Sequence, residues 1–265
     1  METGKRNALI FQPHNDDAVI ALGGTLLKLK KARWEIQYIY LTDGRFGGND
    51  LSADEICALR KAEAAHERGL LGVEEFIDLD YADQSLMDLS PEQRETAQNR
   101  MAEALRQMRP QVVFIPSPND QHPDHRATHD LAMAALKLYA QPVCLAKYSV
   151  WLMPDFYIKR NDPARQTVLV GIDAVMQQKL ELICCHHSQI QRRAYDEIAL
   201  HLAAYYSLVN LAEAKMGAKY CELLGIYSQD EQNGILPELF GALQPVMDAS
   251  EISHGYDGVL TGIES

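Results

Sequence analysis

Apolar residues fall along the chain in short runs separated by longer amphipathic stretches. The runs at 7–12, 35–41, 75–80, 111–116, 143–150 and 167–172 have the length of strands. "QVVFIPS" and "TVLVGID" are β-branched and apolar at successive positions, as strands buried on both faces of a parallel sheet are. Helical patterns lie between the runs, and two carry readable starts. Ser52-Ala53-Asp54-Glu55 is a capping box whose helix runs to about Gly72. Ser90-Pro91-Glu92-Gln93 is another, with proline at the first helical position and a stop before Pro110. Further helices are predicted over 22–33, over "DHRATHDLAMAALKLYA", over "DAVMQQKLELICC" and from about 192 to 216. Strand and helix alternating from the N-terminus predict an α/β sandwich with a mostly parallel central sheet. No linker, repeat or low-complexity tract interrupts the pattern, so residues 1–265 are expected to form one domain. The polar, glycine-containing tail after about residue 248 is expected to be peripheral.

Composition narrows the function classes. The 265 residues are 47% hydrophobic and 23% charged, ordinary for a globular protein. The formal charge of −12 speaks against a nucleic-acid binder and against an anionic membrane surface. No apolar run approaches the roughly 18 residues of a membrane span, and "METGKRNALIFQPHND" meets polar residues too soon for a secretory leader. The five cysteines, Cys57, Cys144, Cys184, Cys185 and Cys221, are scattered, mostly in apolar patterns. They suit buried thiols in a reduced cytoplasm.

Two predicted strand ends are chemically unusual, and in such sheets ligands bind beyond the carboxyl ends of strands. Pro13-His14-Asn15-Asp16-Asp17 follows the first strand. "PSPNDQHPDHRATH", with His122, Asp124, His125 and His129, follows the strand at 111–116. His14 and Asp17 are three apart, so one helical turn brings them to one side. A third ligand from the second cluster would make a two-histidine, one-carboxylate set with an open position for water, as a catalytic zinc requires. Asp16, beside the ligand Asp17, is placed to take a proton from that water. Asp or Asn after a strand also caps helices, and two such clusters together weigh against capping alone.

The motifs "PHNDD" and "HPDH", with "GGTL", "LTDG", "LRKAEA" and "KLELICCHHSQ", resemble the PIG-L/LmbE-like deacetylases, zinc enzymes that remove acetyl from N-acetylglucosamine units. The resemblance covers most of the chain and implies a Rossmann-like three-layer fold. It implies that His14, Asp17 and His125 bind Zn2+ (Fe2+ being the other candidate) and that Asp16 is the general base. It makes His122 the oxyanion-stabilising histidine and Asp124 a residue that orients an imidazole. Arg60 would contact substrate hydroxyls. The partner is then a small amino sugar, with homo-oligomerisation left open. Asn15 stands where many members have proline, and Ala18 where they have glutamate. His129, four residues after His125, reads more readily as a helix-surface residue. His186, His187 and Gln189 line a pocket or a subunit contact. The glycine-rich loop "TDGRFGGND" shapes the rim, and Trp151 and Tyr157 either stack on a sugar or pack in the core. Two other readings use the same metal set: a non-haem iron oxygenase, expected on an all-β jelly roll, and a sugar binder without turnover.

Overall fold

A computed structural model of the chain describes residues 6–48, 50–150, 166–227 and 235–249. Strand β1 (Arg6–Gln12) leads to helix α1 (Asp17–Lys31), and β2 (Trp34–Thr42) to α2 (Ala53–Leu71). Then come β3 (Glu75–Tyr81), α3 (Pro91–Met108), β4 (Val112–Pro116), α4 (Pro123–Tyr139) and β5 (Cys144–Tyr148). The later part holds β6 (Gln166–Gly171), α5 (Met176–Cys184), α6 (His187–Ile190), α7 (Tyr195–Val209), α8 (Ala212–Met216), β7 (Cys221–Ile226), α9 (Ile235–Leu243) and β8 (Val246–Asp248). Both capping boxes form, with Ser52 accepting from the Glu55 amide and Ser90 from the Gln93 amide.

The eight strands form one sheet in the order β3-β2-β1-β4-β5-β7-β6-β8. Pairing is parallel from β3 through β5 and antiparallel from β5 to β8. The expected mostly parallel α/β sandwich is therefore borne out, and a jelly roll, on which the oxygenase reading leaned, is not what this chain forms. Alternate residues of β1 feed two apolar layers, as the period of a strand requires. Ala8 and Ile10 belong to the apolar layer that includes residues of α1, α2, α5, α7 and α9, while Leu9 and Phe11 belong to the one with α3 and α4. The order of strands reverses between β1 and β4: the chain builds outward to β3, then returns to the other side of β1. Ala8 pairs with Val112 and Ile10 with Phe114, so the two strand ends that the sequence singles out are adjacent.

Several predicted boundaries move. The helix predicted over 22–33 begins at Asp17, because the Asp17 side chain accepts the His14 amide at 2.8 Å and folds the chain into the first turn early. His14 thus precedes the helix instead of sharing a turn of it with Asp17. The helix predicted over 192–216 is two, broken where Leu211 turns to φ 56°. The tail from residue 250, Trp151 and Tyr157 lie outside the described residues. Among the described residues, no helix is long and apolar enough to cross a membrane.

Helix α1 is locked to the far half of the sheet at a glycine. A Cβ on Gly24 would stand 2.6 Å from Ile172 Cγ2, so only glycine allows this approach. The Gly24 and Thr25 amides donate to the two oxygens of Glu222 on β7, at 2.8 and 2.7 Å. Lys179 of α5, also buried, completes the set with its Nζ 2.7 Å from Glu222. The buried stripe of α2 is polar as well, carrying Arg60, Glu63 and Glu67.

Glu67 accepts a hydrogen bond from the Tyr38 hydroxyl at 3.2 Å. Burial pushes its carboxyl up to about 8, against smaller downward pulls from that bond and from Arg68. The folded carboxyl therefore keeps its proton over a range in which the unfolded one has lost it, and stability falls as pH climbs from about 4.5 through about 8. Glu67→Gln removes this loss. Urea unfolding at pH 5 and pH 8.5 should show a variant advantage that grows with pH to on the order of a few kcal/mol. An equal difference at both values would contradict a protonated Glu67.

Candidate active site

The crevice above β1 and β4 collects the polar residues of both motifs. After β1, Thr42 at the end of β2 holds the turn by donating from its amide and its hydroxyl to Pro13 O, at 3.0 and 2.7 Å. After β4, the loop is held by Asp120, whose carboxylate accepts from the His122 amide and from the Val150 amide, each at 3.1 Å. His122 then caps α4, its Nδ1 accepting from the Asp124 amide at 3.2 Å. That bond fixes the neutral tautomer with the proton on Nε2.

His14, Asp17 and His125 meet. His14 Nδ1 is 3.1 Å from Asp17 Oδ2 and 3.3 Å from His125 Nε2, and His125 Nε2 is 3.3 Å from Asp17 Oδ2. A tetrahedral ion with bonds of about 2.0–2.1 Å separates its ligand atoms by about 3.3 Å, so this triangle of donors fits a zinc-type cation. His122 stands alongside, its ring centroid 4.7 Å from that of His14 and 5.0 Å from that of His125. His14, His122 and His125 also form a group whose ligand atoms all lie within 4.8 Å of one another.

The other ring nitrogens of the two meeting histidines face carboxylates. His14 Nε2 is 3.1 Å from Asp83 Oδ1, and His125 Nδ1 is 3.1 Å from Asp120 Oδ2. Such partners fix the orientation of an imidazole and raise its basicity. Burial pushes both imidazoles down, but the acids prevail. Asp17, Asp124 and Asp83 carry His14 well above its ordinary value, and Asp17 with Asp120 carries His125 to about 9. Burial raises Asp17 too, yet His125 and His14 hold it well below the usual carboxylate range. Burial, with the neighbouring His14 and His125, moves His122 the other way, downward. The cluster is thus electrostatically built to hold positive charge at its centre.

Asp16 makes no capping bond; its Oδ1 instead accepts from Arg60 Nη2 at 2.8 Å. Arg60 is only 3% exposed, and its Nη1 donates to Gly44 O at 3.3 Å. The resemblance gave Arg60 to substrate hydroxyls, whereas the structure seats it beneath the loop after β2, against Asp16. Glu63, one turn on, accepts from the amide and hydroxyl of Ser188, both at 2.7 Å, and Gln189 donates to Gly47 O at 2.9 Å. This is where "HHSQ" enters the site. His186 is fully buried with neither ring nitrogen partnered among the described residues, and burial lowers it to about 4. His187 is on the surface against Gln191. His129, expected on a helix surface, is buried, its Nδ1 2.9 Å from Pro116 O.

Asp124 lies 3.6 Å from His14 Nε2, and its oxygens accept from the Gln84 and Leu86 amides. It ties α4 to the loop that carries Asp83. Asp83 and Asp120 were not singled out in the sequence. Asp120 sits inside the quoted second motif, two residues before His122. Asp83, in "YADQS", carries no local signal, because only tertiary folding brings it to His14.

A buried histidine–aspartate centre in the switch-point crevice of a doubly wound sheet defines a class: α/β proteins with a metal-type site at the carboxyl edge of the sheet. Within that class, residues 9–136 match the family described as "PIG-L: GlcNAc-PI de-N-acetylase". The PIG-L/LmbE-like resemblance is thereby borne out. Diacetylchitobiose deacetylase of Thermococcus kodakarensis is 29% identical over 204 residues, spanning 72% of this chain and 73% of that protein. 1D-myo-inositol 2-acetamido-2-deoxy-alpha-D-glucopyranoside deacetylase 1 of Catenulispora acidiphila is 26% identical over 58% of this chain and 56% of its own. The solved N,N'-diacetylchitobiose deacetylase of Pyrococcus horikoshii, complexed with its inhibitor MPG, superposes with a TM-score of 0.65 at 28% identity. It covers 88% of this chain and 89% of that one.

The loop over Arg60 is spaced by glycine. A Cβ on Gly47 would lie 2.7 Å from Arg60 Nη1 and 2.9 Å from Gln189 Nε2. Gly47→Ala should therefore displace the guanidinium and cost about 1–3 kcal/mol in denaturant unfolding. Gly69→Ala, where nothing lies within 4 Å of the added carbon, should be neutral or stabilising. Equal effects at the two positions would mean that the loop yields freely.

Proposed function

We propose that the protein is a metal-dependent hydrolase that removes the N-acetyl group from a small N-acetylglucosamine-containing molecule. The observation that carries this reading is the triangle of His14, Asp17 and His125 beside a carboxylate, Asp16, held by Arg60. The deacetylases among its relatives support the choice of substrate class. The carriers of Zn2+ would be His14, Asp17 and His125, with Asp83 and Asp120 orienting the two imidazoles. When bound, such a divalent ion polarises a carbonyl and lowers the pKa of water.

The remaining steps belong to the chain itself. Arg60 occupies Oδ1 of Asp16 and leaves the other oxygen to accept a proton from the attacking water. His122, neutral with its proton on Nε2, donates to the acetamide oxygen as negative charge develops there. As the carbon–nitrogen bond breaks, the proton taken by Asp16 passes to the leaving nitrogen. Water and amide thus become acetic acid, which ionises to acetate, and a free amine. Arg60, buried under its loop, acts through Asp16 rather than on sugar hydroxyls. Of the five cysteines only Cys144 and Cys221 are buried, Cys57 and Cys185 being partly exposed and Cys184 exposed, so the expectation of buried thiols holds for two. The absence of a disulfide among the described residues supports the cytoplasmic reading.

Acetate release from N-acetylglucosamine and its disaccharide, by zinc-loaded protein, tests the reading. Asp16→Asn should lower the rate by roughly 100- to 10,000-fold. A parent protein that holds metal yet releases no acetate from either sugar would refute the proposal. The orienting carboxylates are tested separately. Asp83→Asn or Asp120→Asn should weaken zinc binding about 10–100-fold in chelator competition. Unchanged affinity in both would remove them from the metal centre.

A further inference from the structure

The loop after β2 crosses the carboxyl edge of the sheet beside the cluster, and its backbone is fastened at successive steps. The Arg45 amide donates to Asp43 Oδ1 at 3.1 Å, the Phe46 amide to Asp83 Oδ2 at 3.3 Å, and the Gly47 amide to Gly44 O at 2.9 Å. The Gly44, Phe46 and Gly47 carbonyls accept from Arg60, Arg192 and Gln189, at 3.3, 3.3 and 2.9 Å. Asp43 also accepts from the Arg45 guanidinium at 2.8 Å. Against this immobilised frame the Phe46 ring stands 53% exposed. Its own amide is bonded to the carboxylate that holds His14, so the ring is rooted two hydrogen bonds from the cluster.

An exposed aromatic ring on a mobile loop is ordinary surface; one whose backbone is pinned is pre-organised for contact. The aliphatic C–H faces of sugar rings are complementary to the electron-rich face of an aromatic ring. Glycines at 44, 47 and 48 flank the position and add no side chains that would cover the ring. We propose that Phe46 is a stacking platform for a second ring of the substrate, a sugar or sugar-sized ring joined to the N-acetylglucosamine unit whose acetamide reaches the cluster. This rests on the deacetylase reading and adds a specificity determinant to it. Phe46 selects for conjugates over the free monosaccharide.

The test compares kcat/KM for acetate release from N,N'-diacetylchitobiose and from N-acetylglucosamine, with parent protein, Phe46→Ala and Phe46→Tyr. Disaccharide binding to each is measured in parallel by calorimetry. The disaccharide-to-monosaccharide preference should fall about tenfold in Phe46→Ala, mainly through KM, and return in Phe46→Tyr. The calorimetric affinity should fall by a similar factor. A preference and affinity unchanged in Phe46→Ala would overturn the platform while leaving the deacetylase reading intact. Binding that depends on Phe46 in a protein without turnover would do the reverse. A parent that fails to bind the disaccharide would also overturn the platform.

Discussion

The parallel pairing of β1 with β4 is the constraint on which the site depends. About a hundred residues separate the two strands, yet Ile10 lies beside Phe114, and the two strand ends open into one crevice. Neither motif has a complete set of groups by itself. The first supplies His14, Asp16 and Asp17, and the second supplies His122 and His125. The reversal of strand order splays the flanking connections apart, which leaves a cleft at that edge. The apolar residues of β1 and β4, buried on both faces, hold the register in which the donor atoms come within 3.3 Å of one another.

Buried charge is the second organising feature, and each case is compensated locally. Arg60 answers Asp16, Lys179 answers Glu222, and Asp83 and Asp120 answer the histidines. An unpaired buried charge would be strongly destabilising, so these partners are structural necessities as well as chemical ones. Helix α2 shows the economy of the arrangement. Its inward stripe offers Arg60 to the first motif, Glu63 to "HHSQ" and Glu67 to Tyr38. One helix therefore spaces the site from the core with ionisable side chains where a simpler fold would use leucines.

The fold class and the five residues of the two motifs that form the cluster were legible in the sequence, because they rest on local signals. Strand length, capping boxes and tight motif spacing are all written in neighbouring residues. What escaped was set at long range. Asp83 has no local mark, and the pairing of Arg60 with Asp16, where the resemblance suggested a contact to substrate hydroxyls, depends on tertiary folding. Strands β7 and β8 were not anticipated: β8 has only three residues, and both find their partners only at long range, on β5 and β6. The start of α1 was misplaced by five residues, because the Asp17 carboxylate, not an ordinary capping side chain, turns the chain there. The break at Leu211 has no glycine or proline to announce it.

The attachment of α1 to Glu222 bears on the order in which the protein matures during synthesis. The helix that opens with Asp17 leaves the ribosome before its anchor, which follows after roughly 200 residues. At about 5–20 residues per second, that is a delay of some 10–40 s. Throughout that interval Gly24 lacks its carboxylate acceptor, and Ile172, which packs against Gly24, itself arrives only after about 150 residues. The cluster needs only β1, the start of α1, β4 and the start of α4. Its rigidity is a late acquisition, conferred by a part of the chain that lies beyond the 9–136 family match.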